Sequence, residues 1–122
     1  MKRKSIIKLF LTAIMALLTA QAALAQNNYS TTFIGITNLV FYSASDDIYP
    51  AYDGTVVVLM YTPITWAYGG TCATTAVAIR SADKTLMTGV QAALATGRPI
   101  QVFVDDSQTV DGVVCYLRAL EM

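Results

Sequence analysis

Cys72 and Cys115 are the only cysteines among 122 residues. What they can do depends on the compartment the chain reaches, and the N-terminus bears on that. Lys2, Arg3, Lys4 and Lys8 give a positive start, an apolar stretch runs from Leu9 to Leu18, and Ala23-Leu24-Ala25 places small residues where a signal peptidase reads them. Residues 1–25 are therefore read as a cleaved signal peptide and residues 26–122 as one domain, periplasmic or secreted. The alternative is an uncleaved anchor. Its apolar core is short for a bilayer span, and Thr12, Thr19 and Gln21 dilute it. In an oxidising compartment two cysteines can pair in only one way. The bond would close a loop of ~43 residues, worth about 4 kcal/mol on the chain-entropy model. A metal site is the other use for two cysteines, but the sequence has no His and no third sulfur ligand.

Removal of the signal changes the electrostatics. The basic residues left are Arg80, Lys84, Arg98 and Arg118. The acidic ones are Asp46, Asp47, Asp53, Asp83, Asp105, Asp106, Asp111 and Glu121. Four cations against eight anions give a formal charge of −4, whereas the full chain is neutral. An acidic surface repels phosphate backbones, so nucleic acid is not an expected partner. No apolar run after the signal is long enough to cross a bilayer.

The order of elements follows from periodicity. Gln26 to Ser30 is polar and either frays or starts the first strand. Thr31 to Tyr42 is β-branched and aromatic, with Gly35 and Asn38 suggesting a bulge or bend. Ser43 to Gly54, with Pro50 and Asp53-Gly54, reads as a loop ending in a turn. Thr55 to Thr62 reads as a buried strand, Pro63 to Gly70 as a loop, and Cys72 to Arg80 as a third strand. Leu86, Met87, Val90, Ala93 and Leu94 then recur at helical spacing. Ser81 is the expected N-cap, Asp83 falls in the first turn, and Gly97 and Pro99 end the helix. Ile100 to Val104 gives a fourth strand, Asp105 to Gly112 a polar loop, and Val113 to Arg118 a fifth strand.

Strand, strand, strand, helix, strand, strand is the order of the OB-fold, a five-stranded Greek-key barrel, and that mainly β fold with one helix is the expected architecture. In such a barrel the third and fifth strands run parallel side by side. Cys72 at the start of one and Cys115 near the start of the other would then meet without distortion. An open α+β sheet with one packed helix is the main alternative.

The run Cys72-Ala73-Thr74, the strand ending at Arg80, and the helix closing on Ala95-Thr96-Gly97-Arg98-Pro99-Ile100 before another strand resemble the subtilase cytotoxin B subunit family, which includes the typhoid toxin B subunit. Those subunits also close a helix on a Thr-Gly pair ahead of a strand. Tyr29-Ser30 followed by Ile34 is similar to their aromatic-Ser pair and downstream Ile. The resemblance implies an OB-fold, a ring-shaped pentamer, and binding of sialylated glycans on behalf of a separate enzymatic chain. It also implies that Ser30, beside Tyr29, contacts the sugar carboxylate. This chain departs from the family in having two cysteines where those subunits usually have more. It has Asp105-Asp106-Ser107-Gln108-Thr109 in place of their aromatic-Pro segment.

Catalysis is not expected. There is no His for proton transfer near neutrality, and no thiol remains once the disulfide forms. The neighbours Asp46-Asp47 and Asp105-Asp106 point apart in extended chain, so solvated loop residues are the plainer reading. Asp105, Asp106 and Asp111 have oxygen chemistry suited to Ca²⁺ but lack EF-hand spacing, and neither a metal nor a cofactor is expected. Tyr42, Tyr49, Tyr52, Tyr61, Trp66 and Tyr68 fall in or beside the first two loops. Such aromatics either cap the barrel as core or form a platform that stacks on sugars. Tyr49, Tyr52 and Trp66 are the expected exposed members. On the helix, Leu86, Met87, Val90 and Leu94 are expected to pack inward. The face with Lys84, Thr85, Thr88, Gly89, Gln91 and Ala92 suits either solvent or neighbours in a ring.

The expected function is that of an exported non-catalytic binding module for a glycan, using Tyr29, Ser30, Tyr49, Tyr52 and Trp66. The alternative is a periplasmic protein-binding or inhibitory domain with no toxin partner.

Overall fold

Two runs of small and branched apolar residues, Val56-Val57-Val58 and Val77-Ala78-Ile79, favour extended chain and form the middle of the molecule. The computed structural model describes residues 27–45 and 48–122. The proposed signal peptide, residues 1–25, and the Asp46-Asp47 pair lie outside the described residues. Within them the chain is mainly β with one helix. The strands are β1 (Asn27–Tyr29), β2 (Ile36–Phe41), β3 (Thr55–Met60), β4 (Ala76–Arg80), β5 (Gln101–Val110) and β6 (Val114–Glu121), and α1 (Lys84–Thr96) lies between β4 and β5. They form one sheet in the order β1-β5-β6-β4-β3-β2, which is not closed. Every neighbouring pair is antiparallel except β4 and β6, which run parallel with Ala78 opposite Tyr116.

The five-strand order expected from the sequence becomes six because the first predicted strand divides. Its polar lead-in pairs with β5 as β1, and its apolar remainder pairs with β3 as β2. Ser30 makes the break. Its hydroxyl donates to Thr32 O at 3.0 Å and accepts from Val102 N at 3.0 Å, so a side chain occupies a donor that a continuing ladder would use. The strand predicted over Cys72 to Arg80 begins only at Ala76. Before that, Ala73 N–H donates to Val113 O at 2.7 Å and Ile64 N–H donates to Thr74 O at 2.7 Å, so the segment crosses to other partners.

The polar stretch predicted as a loop after the fourth strand is instead the second half of β5. Asp111 and Gly112, with φ of 55° and 75°, make the tight turn into β6. Positive φ at both central residues matches the twist of the flanking strands. Between Asp105, opposite Tyr116, and Thr109, opposite Cys115, the three residues Asp106, Ser107 and Gln108 have no partner on β6 and bulge out.

Asp83, not Ser81, caps α1, accepting from Leu86 N–H at 3.2 Å. At the other end Gly97 takes the left-handed conformation, φ 68°, and Arg98 N–H returns to Ala93 O at 3.0 Å. Leu86, Val90 and Ala93 are buried and Met87 partly so, but Leu94 is exposed and Gly89 faces Leu120 of β6. The packing stripe is therefore rotated slightly from the expected one.

The main core lies under α1 and joins Val58, Val77, Ile79, Val90, Ile100, Val102 and Val104. Fully burying a side chain of this size stabilises by roughly 1.5–3 kcal/mol. A second apolar cluster on the opposite face joins Val57, Ala78, Val110 and Val114, with Tyr42, Tyr52 and Tyr116 packed against it.

Cys72 and Cys115 form the disulfide, with Cα atoms 5.5 Å apart. Cys115 is the second residue of β6, and Cys72 sits in the segment leading to β4. Replacing both with Ser lowers the unfolding free energy by about 2–4 kcal/mol, measured by urea denaturation beside the oxidised protein. An unchanged midpoint would show that the bond adds nothing to the fold.

Candidate functional site

Three groups of polar and aromatic side chains stand out, and the five residues expected from the sequence are divided between two of these groups and the core.

The first group surrounds β1. Tyr29 stacks on Phe103 of β5 at 5.9 Å and meets Tyr68 edge-on at 5.7 Å. Buried Asn28 holds the nearby loop, donating to Gly69 O at 2.8 Å and accepting from Tyr68 N–H at 3.1 Å. Ser30 is fully buried, and its hydroxyl is engaged with the backbone on both sides; its own carbonyl accepts from Gln101 Nε2 at 2.9 Å. Trp66 is 7% exposed and donates its indole N–H to Ala73 O at 3.3 Å. Ser30 and Trp66 face each other across a backbone bridge. Both sit as structural parts, where the sequence suggested ligand contacts.

The second group lies at the end of β2. Tyr42 and Tyr52 stack with ring centres 4.9 Å apart and planes 28° apart, and Tyr49 meets Tyr42 edge-on at 6.3 Å. The Pro50–Tyr52 3₁₀ turn sets this arrangement, since Pro50 fixes the backbone at its first position. Tyr49 is 57% exposed, as expected, and Tyr52 is half-buried. Burial pushes the Tyr52 hydroxyl above its ordinary pKa of 10.0, and the charges of Asp111 and Tyr42 add to the effect. The 3₁₀ turn and the β5–β6 turn therefore act on one another, and the Tyr52 phenol stays a neutral donor.

The third group is a cleft of about 250 Å³ lined by Arg80, Asp83, Asp105, Gln108, Tyr116, Leu117 and Arg118. The Arg80 guanidinium lies 3.9 Å above the Tyr116 ring and donates to Gln108 Oε1 at 3.2 Å. Asp105 Oδ1 accepts from Ser107 N–H at 3.0 Å and from its hydroxyl at 2.6 Å. The residue pattern alone does not reveal this cleft. The offset between the cysteines does not predict the β4–β6 register, because the segment after Cys72 is not a strand. The readable signal was Asp111-Gly112, a strong hairpin dipeptide whose effect would have extended β5 and brought Gln108 toward β4.

Asp105, Asp106 and Asp111 do not converge, and no group of three His, Cys, Asp or Glu side chains among the described residues is placed to hold a metal ion. No helix among them is long and apolar enough to cross a membrane. Comparison with models of known families, with curated protein sequences and with solved structures finds no match for this chain.

The raised Tyr52 pKa has a stability consequence with a definite sign. The folded state holds this proton to higher pH than the unfolded state, so the contribution is complete below pH 10 and is lost as pH rises through the folded value. Alkaline titration followed at 295 nm should show one tyrosine ionising late, with that step absent in Tyr52→Phe and moved down in Asp111→Asn. Late ionisation that survives Tyr52→Phe would assign the effect to another ring.

Proposed function

We propose that the chain acts outside the cytoplasm as a non-catalytic binding module of OB type whose ligand is a glycan. Three features support the OB reading: β4 and β6 are parallel neighbours, the helix lies between β4 and β5, and one stretch of chain, residues 27–41, pairs with β5 at its start and with β3 at its end. Ile34 and Ile100 add a mutual pair of backbone hydrogen bonds, 2.8 and 2.9 Å, between those two pairings. OB-type domains bind through the loops that correspond here to residues 42–54 and 110–113.

The observation that carries the glycan reading is the Tyr42–Tyr52 stack with Tyr49 exposed beside it. Aromatic faces pack on the apolar face of a sugar ring, and phenol and carboxylate groups at the rim bond its hydroxyls. Asp111, whose charge acts on Tyr52, belongs to that rim. Ser30 does not enter this version of the site. The resemblance to toxin B subunits also carries a pentameric ring, in which the exposed side of α1 would face neighbouring subunits.

A second reading, a protein-binding or inhibitory domain, is favoured by one observation. Phe41 and Ile48, at the end of edge strand β2 and in the loop after it, are 59% and 78% exposed. Apolar groups beside a sheet edge suit a protein surface.

A glycan array probed with residues 26–122, together with sedimentation velocity, tests the proposal. Saturable binding to a defined oligosaccharide class is expected, weakened about 2–10-fold by Tyr49→Ala, the range of one aromatic contact. No glycan bound at high protein density, with a monomer in solution and a periplasmic protein captured through β2, would replace it with the second reading.

A further inference from the structure

We propose that Arg80 and Arg118 form a binding site for a small hydroxylated monoanion, with the carboxylate held by the two guanidinium groups. This site is separate from the tyrosine loop and does not rest on the glycan reading.

The placement follows from topology. β4 and β6 run parallel with Ala78 opposite Tyr116, Arg80 ends β4, and Arg118 is the extra residue of a bulge in β6, between Leu117 opposite Val104 and Ala119 opposite Phe103. Both line the same cleft. Half of the four cations in residues 26–122 thus line one cleft. Like charges that share one cleft repel each other. Neither arginine has an ion-pair partner among the described residues, and the two carboxylates lining the cleft have other engagements. Asp83 caps α1, and one oxygen of Asp105 accepts twice from Ser107. Two cations share one cleft with no ion pair to either, a local conflict of the kind found at functional positions.

The cleft is also built in advance. The unpaired stretch of β5 swings Gln108 across to Arg80, and the guanidinium is held between that amide and the Tyr116 ring. Bulges serve this purpose, turning a side chain out of its ladder position. Arginine presents a planar fork matched to a carboxylate, and a fixed fork loses less freedom when it binds.

The same carboxylates define what the ligand is. Asp83 and Asp105 make the cleft formally neutral, so a multiply charged anion gains little there. Asp105 Oδ2 and the Gln108 amide remain able to meet hydroxyl groups. One negative charge and several hydroxyls on one molecule satisfy both halves of the lining. A volume of about 250 Å³ is below the ~300–1,000 Å³ usual for drug-sized ligands, which restricts the occupant to a small molecule.

The test is a titration of residues 26–122, followed by amide and arginine Nε–H NMR shifts. D-gluconate is the probe; D-glucose and inorganic sulfate are the controls. Gluconate should shift Arg80, Gln108, Tyr116 and Arg118 together, while glucose and sulfate bind at least tenfold more weakly. Arg118→Gln should weaken gluconate binding at least tenfold with the remaining spectrum unchanged. It is preferred to Arg80→Gln because Arg80 also packs on Tyr116. Shifts located elsewhere, or full affinity in Arg118→Gln, would overturn the site. Sulfate binding as tightly as gluconate would overturn the ligand class.

Discussion

The parallel seam between β4 and β6 holds the two halves of the sheet together. On one side β6 pairs with β5 and β1; on the other β4 pairs with β3 and β2. Parallel neighbours cannot be joined by a short turn, so the chain leaves β4, makes α1 and β5, and returns along β6. The disulfide ties the start of β6 to the segment approaching β4. Its position matters because a domain of this size buries only a thin core, and a seam formed by distant segments bears the full entropy of loop closure.

Both surface features depend on that seam. It brings Tyr116 beneath Arg80, and Arg118 lines the same cleft. It also fixes the β5–β6 hairpin so that Val110 and Val114 pack with Tyr42 and Tyr52 on the face away from α1. The aromatic loop is therefore seated on a second small core, which holds the stacked pair in place. Movement of β6 relative to β4 would disturb the cleft and the loop together.

Much of this was legible in the residues because local chemistry and tertiary packing agree there. Gly97 followed by Pro99 ends the helix where the 3.6-residue period ends, and the Val56–Val58 run is a strand in any environment. The disulfide followed from there being only two cysteines, which can pair in one way. Where the reading failed, a long-range partner outweighed the local signal. Asp105 to Thr109 is polar enough for a loop, yet β6 pairs on both sides of it and leaves only three residues out. Trp66 is flanked by loop residues, yet its indole finds Ala73 O and is buried. Ser30 is a small polar residue near the N-terminus, and nothing local says that its hydroxyl will satisfy the Val102 N–H. The cleft shared by Arg80 and Arg118 depends on the β4–β6 pairing and on the bulge at Arg118, which no spacing in the sequence supplies.

Native-state hydrogen exchange on the oxidised and reduced protein tests the role of the seam most directly. Amides of Val77 to Ile79 and Cys115 to Leu117 should be among the slowest to exchange when oxidised. On reduction they should lose protection together, ahead of the β2–β3 ladder. Retained protection in β4 and β6 with earlier loss elsewhere would contradict the account, because it would place the structural hinge of the sheet outside the pairing that the disulfide guards.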